Sequence, residues 1–181
     1  MKMRERVRSR ILIVDGYNIL NALCTPLQLQ GGLADARDAL ADRLEDYAGF
    51  SGQKIILVYD AWLSDRKQRT QEEHGALTVV FTRKGETADH YIERLCDSYA
   101  QEAAYGRIEL RVATSDNVEQ TVVFGRGAIR ISARELLFEL EGAHRARTQR
   151  LAPEGKKAGS TLLEHLPEDV RRKLEEMRRG Q

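Results

Sequence analysis

The stretch Ile11-Leu12-Ile13-Val14-Asp15-Gly16-Tyr17-Asn18 limits the possible folds more than any other, because four apolar residues in a row run into an acid, a glycine and an amide. An unbroken apolar run suits a strand covered on both faces, and such strands belong to parallel α/β sheets whose ligands gather at the strands' carboxyl ends. Asp15 is thereby delivered to the edge where chemistry is expected. Gly16 allows a sharp turn off the strand, and Asn18 can return its side-chain amide towards the same spot. The alternative is a buried strand that simply ends in a polar Asp-Gly turn, with Tyr17 packing beside it.

The remainder of the chain alternates between strand and helix. A loop with Pro26 and Gly31-Gly32 leads to a helical pattern from Leu33 to about Tyr47, in which Leu33, Ala36, Ala39, Leu40, Leu44 and Tyr47 recur at three and four and Gly49 and Gly52 end the run. Lys54 to Asp60 is a second apolar run that also terminates in an acid. Residues 61–75 are expected to be a polar loop, and Leu77 to Phe81 a third strand. Thr87 is expected to cap a helix reaching about Tyr105, with Asp89 in its first turn at the edge of an apolar arc of Ala88, Ile92, Leu95, Cys96, Tyr99 and Ala103. Ile108 to Ala113 reads as a fourth strand, followed by Thr114-Ser115-Asp116 and a helix to Phe124. Ala128 to Ile131 reads as a fifth strand, and Ser132 as the cap of a helix to about Arg147. A Pro/Gly linker over 151–160 and a short helix over 167–179 complete the chain.

With 181 residues, there is room for one domain with a full core plus tails. We expect a basic arm over 1–10, a core domain over 11–141 and a basic extension over 142–181. The charges divide accordingly: five Lys/Arg against one acid in the first segment, fourteen against twenty-one in the second, ten against six in the third. An acidic core between basic arms fits metal ions inside and phosphates at the periphery; charged tails that only keep the chain soluble are the competing explanation. No apolar run is long enough to span a bilayer, and the basic start lacks the apolar region of a secretory signal, so a cytoplasmic location is expected. Cys24 and Cys96 have no metal-finger spacing and are expected to be buried free thiols.

In a right-handed parallel sheet of five strands, order 3-2-1-4-5, all carboxyl ends share one edge. Asp15 and Asp60 end strands one and two, and Asp89 and Asp116 follow strands three and four, so all four fall on that edge. Asp89 could instead only complement a helix N-terminus, and Asp116 could only form a capping box with Glu119. Clustered carboxylates repel unless protonated or occupied by a cation, and a hard-oxygen set suits Mg2+ or Mn2+, as one ion or two. Such ions can activate water and stabilise the leaving oxygen of a phosphodiester without a protein nucleophile. A glycine-rich phosphate loop is missing between strand one and the first helix, which disfavours a nucleotide-binding domain. The position two after Asp15 is Tyr17, which disfavours a haloacid-type phosphatase.

The order VDGYN, an acid after strand two, GETAD, and TSD with Gln120 just beyond resembles the YacP-like NYN domain family, relatives of PIN-domain ribonucleases, over residues 11–141. The resemblance implies a PIN-like three-layer α/β/α fold and metal-dependent endonucleolytic cleavage of single-stranded RNA, with an mRNA endonuclease that works on the ribosome among the family's members. It carries Asp15, Asp89 and Asp116 over as metal-binding carboxylates, with Asn18 and Asp60 supporting them. Glu86, Thr114 and Ser115 are expected just behind these. The basic residues Arg66, Lys67, Arg69, Arg83 and Lys84 leave the same sheet edge and are expected to grip RNA phosphates around the acidic cleft. The competing reading is a non-catalytic RNA- or ribosome-binding module on the same fold.

Overall fold

The structure, a computed structural model, describes residues 9–23, 32–60, 68–115 and 127–151. Six strands form one sheet in the order β3-β4-β2-β1-β5-β6. They are β1 (Ser9–Asp15), β2 (Lys54–Tyr59), β3 (Thr70–His74), β4 (Leu77–Phe81), β5 (Ile108–Ala113) and β6 (Ile129–Ile131). The described helices are α1 (Gly16–Leu23), α2 (Leu33–Ser51), α3 (Ala88–Ala104) and α4 (Ala133–Leu151). Met1–Arg147 is one compact unit and Thr148–Gln181 a second.

The five expected strands are present in the expected order, with β1 between β2 and β5 and every pair among them parallel. The sheet is nevertheless not purely parallel. Thr70–His74, expected within a polar loop, pairs antiparallel with β4, from Thr70 opposite Phe81 to His74 opposite Leu77. Its residues Gln71 to His74 are exposed, so no apolar alternation marks the strand; backbone pairing across a tight turn at Gly75, with φ 60°, makes it. Two other boundaries differ as well. A helix, α1, begins directly at Gly16 where a loop was expected. Helix α2 continues through Gly49 to Ser51, and the left-handed Gly52 caps it.

Strand periodicity divides the core into two. Leu12 and Val14 join Leu40, Leu44, Leu57 and Leu136 beneath α1, α2 and α4. Ile11 and Ile13 join Val58, Val112, Ile92 and Cys96 beneath α3. Successive side chains of a strand point to opposite faces, so a sheet with helices on both sides needs apolar residues at every position of its central strands. The run Ile11 to Val14 satisfies that requirement, which is why β1 is central. Cys96 is a buried free thiol, as expected. Helix α3 starts after Thr87, whose hydroxyl accepts the His90 amide at 3.3 Å. Helix α4 starts with a capping box: the Ser132 hydroxyl accepts the Glu135 amide at 3.2 Å and the Glu135 carboxylate accepts the Ser132 amide at 2.7 Å. Leu151, expected to open the linker, is the last residue of α4, while Asp116, Arg66, Lys67, Cys24, the helix expected before Phe124, linker residues 152–160, the 167–179 helix and the N-terminal arm up to Arg8 lie outside the described residues.

Candidate active site

The face that each strand-end residue shares follows from the register. Ile11 and Ile13 point towards α3, so Asp15 continues on that face; Leu110 and Val112 do the same for Thr114, Ile56 and Val58 for Asp60, and Val80 for Thr82. Val14 lies opposite Ala113 and Tyr59 opposite Phe81. Carried one residue further, these ladders set Asp15 beside Thr114 and Asp60 beside Thr82, neighbouring strands being about 4.8 Å apart. Asp15 itself lies opposite Val58, so Asp60 stands two residues farther along the edge. Asp15, Thr82 and Thr114 are buried, and Asp60 is half-buried.

Asp15 performs a local task as well. Its Oδ1 accepts the Asn18 backbone amide at 3.0 Å, which caps the first turn of α1. The Asn18 side chain then crosses to the neighbouring strand end, where its Oδ1 accepts the Ser115 amide at 2.5 Å. The strand-helix junction needs Gly16, because a Cβ there would lie 2.2 Å from the Tyr59 ring. The close approach of a buried aromatic ring, not a positive φ, fixes this glycine.

Asp89 lies in the first turn of α3 and is exposed. Ala88 beside it packs in the same cluster as Ile13 and Val58, so the amino end of α3 sits on the face to which Asp15 points. Glu86, two residues before the helix, is buried and holds three groups. Arg69 Nη2 donates to Glu86 Oε1 at 2.7 Å and to Oε2 at 3.0 Å, the Arg83 amide donates at 3.4 Å, and Arg94 makes a second ion pair. Burial pushes the Glu86 carboxyl up, but the Arg69 hydrogen bonds, the Arg83 amide and the charges of Arg69 and Arg94 outweigh it and hold it below the usual carboxylate range. The Arg69 guanidinium also lies 4.3 Å from the Tyr91 ring centroid. Thus Arg69, expected to face RNA, is engaged with Glu86 and Tyr91, whereas Arg83 and Lys84 are exposed on the turn after β4.

Among the described residues no three His, Cys, Asp or Glu side chains form a ready metal-binding group, so Asp15, Asp60 and Asp89 do not make one by themselves. Asp116, one residue past Ser115, is the remaining acid of the expected set. The donors that are described fit a hard cation: a buried carboxylate fixed by a helix cap and a second acid on the helix covering the same face, with oxygen as the only ligand type. The sequence pointed to Glu86 but not to Arg94 or Tyr91, whose helical positions look like those of ordinary surface residues. Thr82 was also missed; its place directly after an apolar strand is the signal it shares with Asp15 and Asp60.

The opposite face of the same edge is aromatic. Tyr17, Tyr59 and Phe81 follow one another with ring centroids 5.0 and 5.4 Å apart. Tyr59 is buried, and burial followed by the neighbouring Tyr17 pushes its hydroxyl well above the usual tyrosine range. No described helix is long and apolar enough to cross a membrane.

Residues 12–179 match the profile of the YacP-like NYN domain, so the match runs into the C-terminal segment well beyond the motifs that end before residue 141. The chain is similar to the uncharacterized protein YacP of Bacillus subtilis (strain 168), with 38% identity over 174 residues, 94% of this chain and 97% of that protein. It is also similar to the crystal structure of Rae1 (YacP) from Bacillus subtilis, with 36% identity, TM-score 0.64 and coverage of 94% of this chain and 95% of that one. A point variant of Rae1 gives 33% identity, TM-score 0.65 and coverage of 93% and 99%.

Proposed function

Because the chain belongs to the YacP-like NYN domain family, a PIN-like nuclease-type domain, we propose that it is a cytoplasmic, metal-dependent endoribonuclease that cleaves single-stranded RNA, with mRNA as substrate and the ribosome as the place of action. The observation that carries this reading is the buried Asp15 carboxylate at the carboxyl end of the central strand, fixed by the cap of α1 and flanked by the Asn18–Ser115 tie. Burying a carboxylate at an edge is costly unless a hydrogen bond or a cation compensates.

Asp15, Asp89 and Asp116 would hold Mg2+ or Mn2+, with Asp60 in support. When bound, the ion would lower the pKa of water at the scissile phosphate and neutralise the charge that develops on the leaving oxygen. The chain's own work is positional. Asn18 locks the β1 and β5 ends together, so that residues after Ser115 start from a fixed point. Glu86, held by Arg69 and Arg94, anchors the turn that leads into α3 and thereby sets Asp89. Arg83 and Lys84 face solvent beside it and would hold the RNA backbone near the acids.

The test is incubation of the purified chain with an end-labelled single-stranded RNA in Mg2+, Mn2+ or EDTA, with and without ribosomes. Cleavage only where the divalent ion is present is the expected result. RNA that binds tightly and stays intact under every condition would favour a non-catalytic RNA- or ribosome-binding module.

A further inference from the structure

The carboxyl edge of the sheet has two chemically different faces. On β2 the last residue of the strand, Tyr59, points towards α2 and the next, Asp60, continues towards α3; on β4 the same pairing is Phe81 and Thr82. Tyr17, in the first turn of α1, joins the aromatic side. The acids therefore occupy one side of the edge, and three rings the other.

The rings close the core at this edge, Tyr59 belonging to the buried cluster and Tyr17 and Phe81 packing against it. Tyr59 is 1% exposed and lies in the middle, tilted at 55° to Tyr17 and nearly parallel, at 24°, to Phe81. Tyr17 and Phe81 are only partly buried, so the two outer rings retain surface. Arg37, projecting from α2, completes the group. Its guanidinium lies 5.8 Å from the Phe81 ring centroid, and its Nη1 donates to the Tyr17 hydroxyl at 3.4 Å. Partly exposed rings beside an arginine are what a planar base needs: stacking from the rings and a cation–π contribution from the guanidinium.

We propose that Tyr17, Phe81 and Arg37 form a stacking site for one base of single-stranded RNA, next to the acids on the same sheet edge. The site rests on the reading of the chain as an RNA-cleaving enzyme and adds to it a contact with the base rather than with phosphate. Stacking accepts any base, so the site fixes the position of the strand and not its sequence. Asp15 and Tyr17 are two residues apart in the chain, so a base held here stands close to the phosphate to be cut.

The experiment uses the full-length chain carrying Asp15→Asn, which retains the oxygen that caps α1, with fluorescently labelled 10-nucleotide single-stranded RNAs in Mg2+. One set is intact and the other has a single abasic ribose moved along the strand. At one position, loss of the base should weaken binding by about fivefold or more, the scale expected for removing one stacked base. In Tyr17→Ala and in Phe81→Ala that penalty should vanish, while affinity for the abasic RNA stays that of the parent. Tyr17→Phe keeps the ring and should keep the penalty, which distinguishes stacking from a general loss of structure. A penalty of the same size in the Ala variants, or none at any position in the parent, overturns the stacking site. If the chain with Asp15 intact still cleaves RNA in that case, the nuclease reading stands; if it neither binds nor cleaves RNA, both fall together.

Discussion

The Asn18 side chain accepts the Ser115 amide at 2.5 Å, joining residues 97 positions apart. It fastens the carboxyl end of β1 to that of β5, the two strand ends from which Asp15 and the segment containing Asp116 emerge. Replacing Asn18 by Ala leaves a backbone amide without its partner. The expected cost in stability is modest, about 0.5–1.5 kcal/mol in a denaturant titration, as for a typical hydrogen bond. RNA cleavage should fall much further, roughly 10- to 100-fold, because small displacements of catalytic groups are expensive. Equal losses in stability and activity would reduce Asn18 to a purely structural tie.

Glu86 gives the fold a defined acid sensitivity. Its pKa lies below the unfolded value, so its stabilisation is complete above that value and is lost as pH falls through the folded one. Glu139 is shifted in the same direction: burial, the largest single cause, raises it, and the hydrogen bonds from Arg111 and Tyr47 together with the Arg111 charge outweigh it. Glu86→Gln should therefore lower the Tm at neutral pH and flatten its decline between neutral and acid conditions. The Arg69 and Arg94 side chains are 35% and 54% exposed, so solvent screens the pair and the neutral-pH loss should be about 1–2 kcal/mol. A Tm profile parallel to that of the parent would place the acid response elsewhere.

Much of this architecture is legible in the residues. The runs 11–14 and 55–59 read as strands covered on both faces, and their terminal acids fall on one edge before any coordinates are known. Strand β3 is not legible, since its exposed Gln71, Glu72 and Glu73 carry no alternation and only pairing with β4 orders them. Helix α1 is hidden for another reason. Its eight residues are too few for a clear period, and Asp15, which looks like a turn residue, is its cap. Around the site, strand-end carboxylates are visible, but the grip on Glu86 is not. It joins Glu86 to Arg69, 17 positions away on the other side of β4, and to Arg94, 8 positions on, separations that follow no helix or strand period.

The basic residues near the edge separate into two kinds. Arg69 is tied to Glu86, so Arg69→Gln should lower stability as well as RNA affinity. Replacing Arg83 and Lys84 by Gln should flatten the dependence of log Kd on log salt by roughly 0.7 for each phosphate of single-stranded RNA that is no longer neutralised. The same substitutions at Arg66 and Lys67 test whether that loop shares the path. An unchanged slope in all four would move the RNA to the basic segment beyond residue 142.

The central claim is that Asp15 is a metal-binding carboxylate of an RNA-cleaving site, and the most direct measurement is single-turnover cleavage of labelled RNA by Asp15→Asn beside the parent chain in saturating Mg2+ or Mn2+. Asparagine keeps the oxygen that caps α1 and removes the charge, so the variant should fold with a nearly unchanged Tm and bind RNA. Its cleavage rate should fall by about 100-fold or more, the loss of a well-placed electrostatic group costing about 3–4 kcal/mol. Cleavage at the parental rate by a folded Asp15→Asn would contradict that claim.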